Sequence, residues 1–172
     1  EIHNTVAIIP PTPQTYTEGD NFDLTGQHSA NIIVTGVPRL ELTIGAATVY
    51  ADYLTGSGTG NLTFRYTILA GENDSDGVDL NSTIDLNGGT LTFNDDTGAV
   101  NANLSLLILD FQNQNVDTTA PTLTLVTPPI PQTYYKDQQL NFIAVFDDPV
   151  VVTGSPRLQI DIGGVTKFAN YD

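Results

Sequence analysis

Val34-Thr35-Gly36-Val37-Pro38-Arg39-Leu40-Glu41-Leu42-Thr43-Ile44-Gly45 is followed, 118 residues later, by Val152-Thr153-Gly154-Ser155-Pro156-Arg157-Leu158-Gln159-Ile160-Asp161-Ile162-Gly163. In both stretches apolar residues occupy every second position between a Gly-x-Pro punctuation and a closing glycine. That is the period of a strand with one buried face. Working outward at the same offset, Pro10-Pro11-Thr12-Pro13-Gln14-Thr15-Tyr16 returns as Pro128-Pro129-Ile130-Pro131-Gln132-Thr133-Tyr134. Thr48, Ala51 and Tyr53 return as Thr166, Ala169 and Tyr171. Between positions 6–54 and 124–172, 17 of 49 residues are identical, and several are Gly or Pro, whose backbone geometry is the least replaceable. The second copy runs to Asp172, the partner of Leu54, so it holds no counterpart of Thr55–Thr118.

Around this repeat, short runs of alternating hydrophobicity are separated by Gly, Asn, Asp and Pro. No window shows the period of an amphipathic helix. Leu40, Leu42 and Ile44 read as one strand, which Gly45-Ala46-Ala47 turns into a second over Thr48–Tyr53. Leu62, Phe64, Tyr66 and Ile68, alternating with Thr63, Arg65 and Thr67, form the clearest half-buried strand. Further strands are expected near Thr5–Ile9, Phe22–Gly26, Val78–Leu86, Thr90–Phe93 and Asn103–Phe111. Seven or eight strands with frequent turn signals predict a two-sheet sandwich, hence an all-β fold. The boundary falls in Asn115-Val116-Asp117-Thr118-Thr119-Ala120-Pro121, which gives a complete repeat at 1–118 and the first half of a second at 119–172. The apolar residues of that half, among them Leu123, Leu140, Phe142, Leu158 and Ile160, need a surface to bury against. The expectation is that the chain continues or that another chain completes the fold.

Charge narrows the classes of partner. Twenty acids against five bases give a net charge of −15, which repels nucleic acid and anionic membranes and attracts cations. The stretch Tyr66–Tyr135 contains acids but no Lys or Arg. With no Cys there is neither a disulfide nor a thiolate metal site. Met is absent too, position 1 included, which predicts a processed product or a piece of a longer protein. No apolar run approaches the ~20 residues of a membrane-spanning helix.

The combination Val34-Thr35-Gly36-x-Pro38-x-Leu40, Ala51-x-Tyr53, Gly56-Ser57-Gly58-Thr59, Leu62-x-Phe64-x-Tyr66, Gly71-x-Asn73-Asp74-x-Asp76-Gly77 and Asp117-Thr118-Thr119-Ala120-Pro121 resembles the tandem bacterial immunoglobulin-like repeats of large surface and adhesin proteins. Phe146-Asp147-Asp148-Pro149-Val150 fits that pattern better than its partner His28-Ser29-Ala30-Asn31-Ile32. The resemblance spans the whole chain. It implies an immunoglobulin-like β-sandwich repeat followed by an incomplete second repeat. It also implies an extracellular, cell-surface or secreted location and a structural or adhesive role.

Among candidate sites, Glu72, Asp74, Asp76 and Asp79 lie within eight residues on a Gly-containing loop, and alternating oxygen ligands of this kind suit calcium. The loop lacks the distal bidentate Glu of an EF-hand, and Asn, Asp, Ser and Gly are also ordinary turn residues. Asp117, Asp147 and Asp148 are candidates for the joint between repeats, where a cation would stiffen the hinge, and Asp95-Asp96 is a further acidic pair. Arg39 and Arg157 are equivalent residues suited to a carboxylate or carbohydrate, or to covering an apolar edge. Tyr50, Tyr53 and Tyr66 offer a sugar-binding face, with Tyr66 placed inward by alternation. Catalysis finds no constellation: His3 and His28 have no nucleophile in a strand-turn-helix setting, so the chain reads as non-enzymatic. The leading expectation is a stalk or spacer repeat whose partners are neighbouring repeats or identical chains. The alternatives are a filament subunit assembled by strand completion and a module binding host or surface glycans.

Overall fold

A computed structural model describes residues 6–95, 98–107, 111 and 113–172, the side chains of 94 and 95 excepted. The chain divides into two compact units, Glu1–Thr119 and Ala120–Asp172. The division comes one residue beyond the sequence boundary because Thr118 and Thr119 are tied back to the first unit. The Thr118 N–H and the Thr119 hydroxyl both donate to Asn73 Oδ1, at 2.9 and 3.2 Å.

The first unit contains β1 (Val6–Ile9), β2 (Gln14–Tyr16), β3 (Asn21–Thr35), β4 (Arg39–Ile44), β5 (Ala47–Thr55) and β6 (Thr59–Thr67). These are followed by β7 (Asn73–Asp74), β8 (Asp79–Asp85), β9 (Thr90–Asp95), β10 (Gly98–Asn101), β11 (Leu106–Leu107) and β12 (Gln114–Asp117). The described residues form strands, turns and loops without a helix, so the fold is all-β as expected. Among them no helix is long and apolar enough to cross a membrane.

The main sheet runs β11-β1-β3-β6-β5-β4-β8, and all its pairs are antiparallel except β1 with β11. It nearly closes on itself into a sandwich-like body. At the closing seam Thr83 of β8 bridges Ser105, and the Ile84 N–H donates to Leu104 O at 2.9 Å. Near-closure leaves few unpaired strand edges, which otherwise invite association. The second half of β3 turns away to pair with β9, which pairs with β10. A separate three-stranded sheet, β2-β12-β7, carries the chain past the Pro-rich segment. Alternation decides what is buried: Leu40, Leu42 and Ile44 of β4, Phe22 and Leu24 of β3, and Leu62 and Phe64 of β6 all face one core. Each such side chain contributes about 1.5–3 kcal/mol on burial.

The second unit contains β13 (Leu123–Thr127), β14 (Ile143–Phe146), β15 (Arg157–Ile162) and β16 (Val165–Asn170), in two separate pairs. Leu125↔Val145, Val126↔Ala144 and Thr127↔Ile143 are the β1–β3 pairs Ala7↔Gln27, Ile8↔Gly26 and Ile9↔Thr25 displaced by 118. All six β15–β16 pairs, from Arg157↔Asn170 to Ile162↔Val165, match those of β4–β5 at the same displacement. Local hydrogen bonds recur as well. Tyr134 Oη donates to Ile130 O at 2.9 Å as Tyr16 Oη does to Thr12 O at 2.8 Å, and the Tyr171 N–H donates to Pro156 O as Tyr53 does to Pro38 O. What the second unit lacks is any counterpart of β6, which joins β3 to β5 in the first unit, and of β8, which covers the outer edge of β4. None of its residues is buried.

Candidate functional site

The acidic loop is built into the first unit rather than standing free of it. Asp74 is buried, and its Oδ2 accepts the Gly45 N–H at 2.7 Å across the β4–β5 turn. Its Oδ1 accepts the N–H groups of Asp76 and Gly77 at 3.3 and 3.0 Å, an Asx-type closure of the loop. Glu72 accepts from Tyr66 Oη at 2.5 Å and from the Leu69 N–H at 2.8 Å. Burial, followed by this hydrogen bond to Glu72, drives the Tyr66 phenol well above its ordinary range. Asp76 and Asp79 are exposed. Of the four acids proposed for calcium, two are thus engaged by donors of the protein itself. Among the described residues no three acidic, His or Cys side chains gather in a way that would hold a metal ion.

Gly45 is needed at that contact twice over. It opens a two-residue hairpin loop at φ 57°, a conformation glycine adopts freely. A Cβ there would also lie 2.5 Å from Asn73 O. Gly163 repeats the backbone with φ 63°, but a Cβ at that position would meet nothing within 4 Å.

Across the outer face of the main sheet runs a row of charges that the sequence reading missed. Asp85 of β8, Arg39 of β4, Asp52 of β5, Arg65 of β6 and Asp23 of β3 are successive cross-strand neighbours. The sign alternates at every step, and opposite charges directly across a ladder favour that register. Arg39 Nε donates to Asp85 Oδ2 at 2.8 Å, while Arg65 makes a bidentate pair with Asp23, both bonds 2.6 Å. The Asn87 N–H, and then Arg39, hold the Asp85 carboxyl below the usual carboxylate range. The Arg39 guanidinium lies 3.9 Å from the centre of the Tyr50 ring. In the second unit Asn170 and Asn141 stand at the positions of Asp52 and Asp23, so Arg157 alone of this row keeps its charge. It lies 4.0 Å from the centre of the Phe168 ring. No carboxylate among the described residues is within ion-pair distance of it.

The three tyrosines do not share a face. Tyr53 packs edge-on against Phe64 with ring centres 6.0 Å apart, and Tyr66 packs against the core, as its alternation predicts. Tyr50 is on the outer side of the sheet, under Arg39. His28 sits where β3 slips register against β6, between Gln27↔Asn61 and Ile32↔Thr59. Its Nε2 is buried without a hydrogen-bond partner, and desolvation lowers its pKa. His3 and Asp96 lie outside the described residues, as does the side chain of Asp95.

Of the acids assigned to the joint, Asp117 belongs to the first unit and accepts the Thr119 N–H at 2.9 Å. Asp147 belongs to the second, where it accepts both the hydroxyl and the N–H of Thr122, and these bonds lower its pKa. Asp148 is exposed.

An open apolar groove lies within the second unit. The groove, of about 480 Å³, is lined by Pro131, Tyr134, Leu140, Phe142, Ile160 and Ile162, with other residues of the same unit. Five of the six, Pro131 excepted, correspond to buried core residues of the first unit: Tyr16, Phe22, Leu24, Leu42 and Ile44. The sequence pointed to this surface through the missing counterpart of Thr55–Thr118. Comparison with family models, with curated proteins and with solved structures finds no match.

Proposed function

We propose that this chain is a stalk or spacer module of an extracellular surface protein, in which successive copies of one β-sandwich unit set length and stiffness. The observation that carries this reading is the register. Nine residue pairs in the two strand pairs of the second unit coincide with those of the first at a displacement of 118, which supports one plan of folding used twice in tandem. Tandem units that each close a core of their own add length in proportion to their number. The near-closed sheet and the internal use of Glu72 and Asp74 suit a load-bearing body better than a ligand pocket.

The test is a series of chains carrying two, four and six copies of residues 1–119 joined in tandem, measured by small-angle scattering and electron microscopy. Maximum dimension should rise in proportion to copy number. Growth only as the square root of copy number would describe beads on a flexible string and sink the spacer reading. Saturable binding to a glycan array by the single chain would favour the adhesive alternative.

A further inference from the structure

We propose that the outer edge of β15 is a docking edge for an antiparallel polypeptide strand with the pattern Asn-Asp-x-x-x-Val-x-Leu-x-x-x-Ile-Asp, whose last carboxylate pairs with Arg157. The proposal deepens the tandem reading above and rests on it. The pattern is that of Asn73–Asp85, the segment that covers the same edge in the first unit. There Leu80 pairs with Leu42, Ile84 with Leu40 and Asp85 with Arg39, while Asp74 reaches the Gly45 N–H at the end of the strand. All but one of the receiving positions are kept on β15 and the turn that follows it: Arg157 for Arg39, Leu158 for Leu40, Ile160 for Leu42, Ile162 for Ile44 and Gly163 for Gly45.

Three features of the second unit say what kind of segment fits. Arg157 is already held over the Phe168 ring, as Arg39 is over Tyr50, so its guanidinium is preorganised for a carboxylate it does not have. Leu158 and Ile160 are half-exposed where Leu40 and Leu42 are fully covered, which asks for apolar residues four apart on the incoming strand. Space stands open opposite Gly163 where the Asn73 backbone of β7 fills it opposite Gly45.

One position discriminates between the two edges. Asp79 is paired with Thr43 in the first unit, but the residue corresponding to Thr43 is Asp161. Like charges directly opposite disfavour pairing. The segment that suits β15 therefore carries an uncharged or basic residue in place of Asp79. An acidic loop that looked like a cation site is, on this reading, a strap that fastens one half of the sandwich to the other.

The test uses the 172-residue chain, isotope-labelled, and a synthetic peptide of residues 73–87 with Asp79→Lys. Amide shifts should move along Arg157–Gly163, and the unmodified peptide should bind at least threefold more weakly. Asp85→Arg in the peptide or Arg157→Asp in the chain should each weaken binding at least fivefold, and the two together should restore it. For weak binding, the same peptide is linked to Asp172 through a flexible Gly-Ser segment, which raises its effective concentration to the millimolar range. Amide exchange at Leu158, Ile160 and Ile162 should then slow at least tenfold.

No shift and no added protection would overturn the proposal, as would shifts confined to β16 or to the first unit, or single exchanges that are not rescued together. Shifts along β15 that grow with chain concentration without peptide would assign the edge to a second copy instead, and would also overturn it. Failure of linear growth in the tandem series, with peptide binding intact, would remove the spacer reading alone.

Discussion

Leu40 and Leu158 are the same residue in hairpins of the same register, yet Leu40 is sealed from water and Leu158 is not. The hairpin is therefore specified locally, by alternation and by a glycine at φ near 60°, while burial is supplied by segments far away in sequence. In the first unit β6 and β8 provide that cover. Two-stranded pairs of this kind are marginal in water by themselves. The comparison separates what makes a strand from what makes a core.

The sharpest way to break it is truncation at the matched position. Leu40→Ala should destabilise the first unit by about 2–5 kcal/mol, the range for deleting a fully buried leucine side chain. Leu158→Ala should leave the thermal midpoint of the same chain unchanged within roughly 1 °C, since a half-exposed residue outside a closed core contributes little. Equal losses at both positions, measured by calorimetry, would show that the second unit closes a core of comparable quality.

The hairpins were legible because their information is local. Leu40, Leu42, Ile44 and the Gly45 turn announce β4 and β5, and Leu62, Phe64 and Tyr66 announce β6, all within spans of ten residues. The β2-β12-β7 sheet was not legible: Gln14–Tyr16 follows a Pro-rich segment and pairs in parallel with Gln114–Asp117, and three-residue strands carry no period. Nor was the row Asp85-Arg39-Asp52-Arg65-Asp23, whose members come from five strands and meet only through register. The role of Asp74 was hidden for a related reason. Spacing shows that carboxylates are close in sequence, but not that one of them turns inward onto the Gly45 N–H.

Substitutions at the strap come next in size. Asp74→Ala should cost the first unit about 2–3 kcal/mol, because it orphans the Gly45, Asp76 and Gly77 N–H groups that a charged acceptor now serves. Gly45→Ala and Gly163→Ala carry the same left-handed strain, about 1–2 kcal/mol. Only the first also drives a methyl into Asn73 O. Unfolding by denaturant should therefore show a larger loss for Gly45→Ala than for Gly163→Ala, and equal losses at both would mean that the strap is loose. Since the carboxylates of Asp74 and Glu72 are engaged by protein donors, adding calcium or chelator should move the melting midpoint by less than about 1 °C. A larger calcium-dependent rise would return the loop to its reading as a cation site.

The smallest expected effect is a dependence on pH that only one copy can have. His28 of the first unit corresponds to Phe146 of the second. Desolvation lowers the His28 pKa in the folded state, so the unfolded chain binds the proton more readily. Stability is then retained above the unfolded histidine pKa of about 6.5 and declines as pH falls below it, until the folded pKa is passed. Asp85 acts in a lower window. Its folded pKa is depressed by the Asn87 N–H and by Arg39, so its contribution persists above the ordinary carboxylate pKa and is lost only as pH falls through the folded value. His28→Phe should flatten the stability profile between about pH 7 and 5 and leave the decline below about pH 4 in place. An unchanged slope between pH 7 and 5 would mean that His28 is solvated in the native state, and the slip between β3 and β6 would then be open to water.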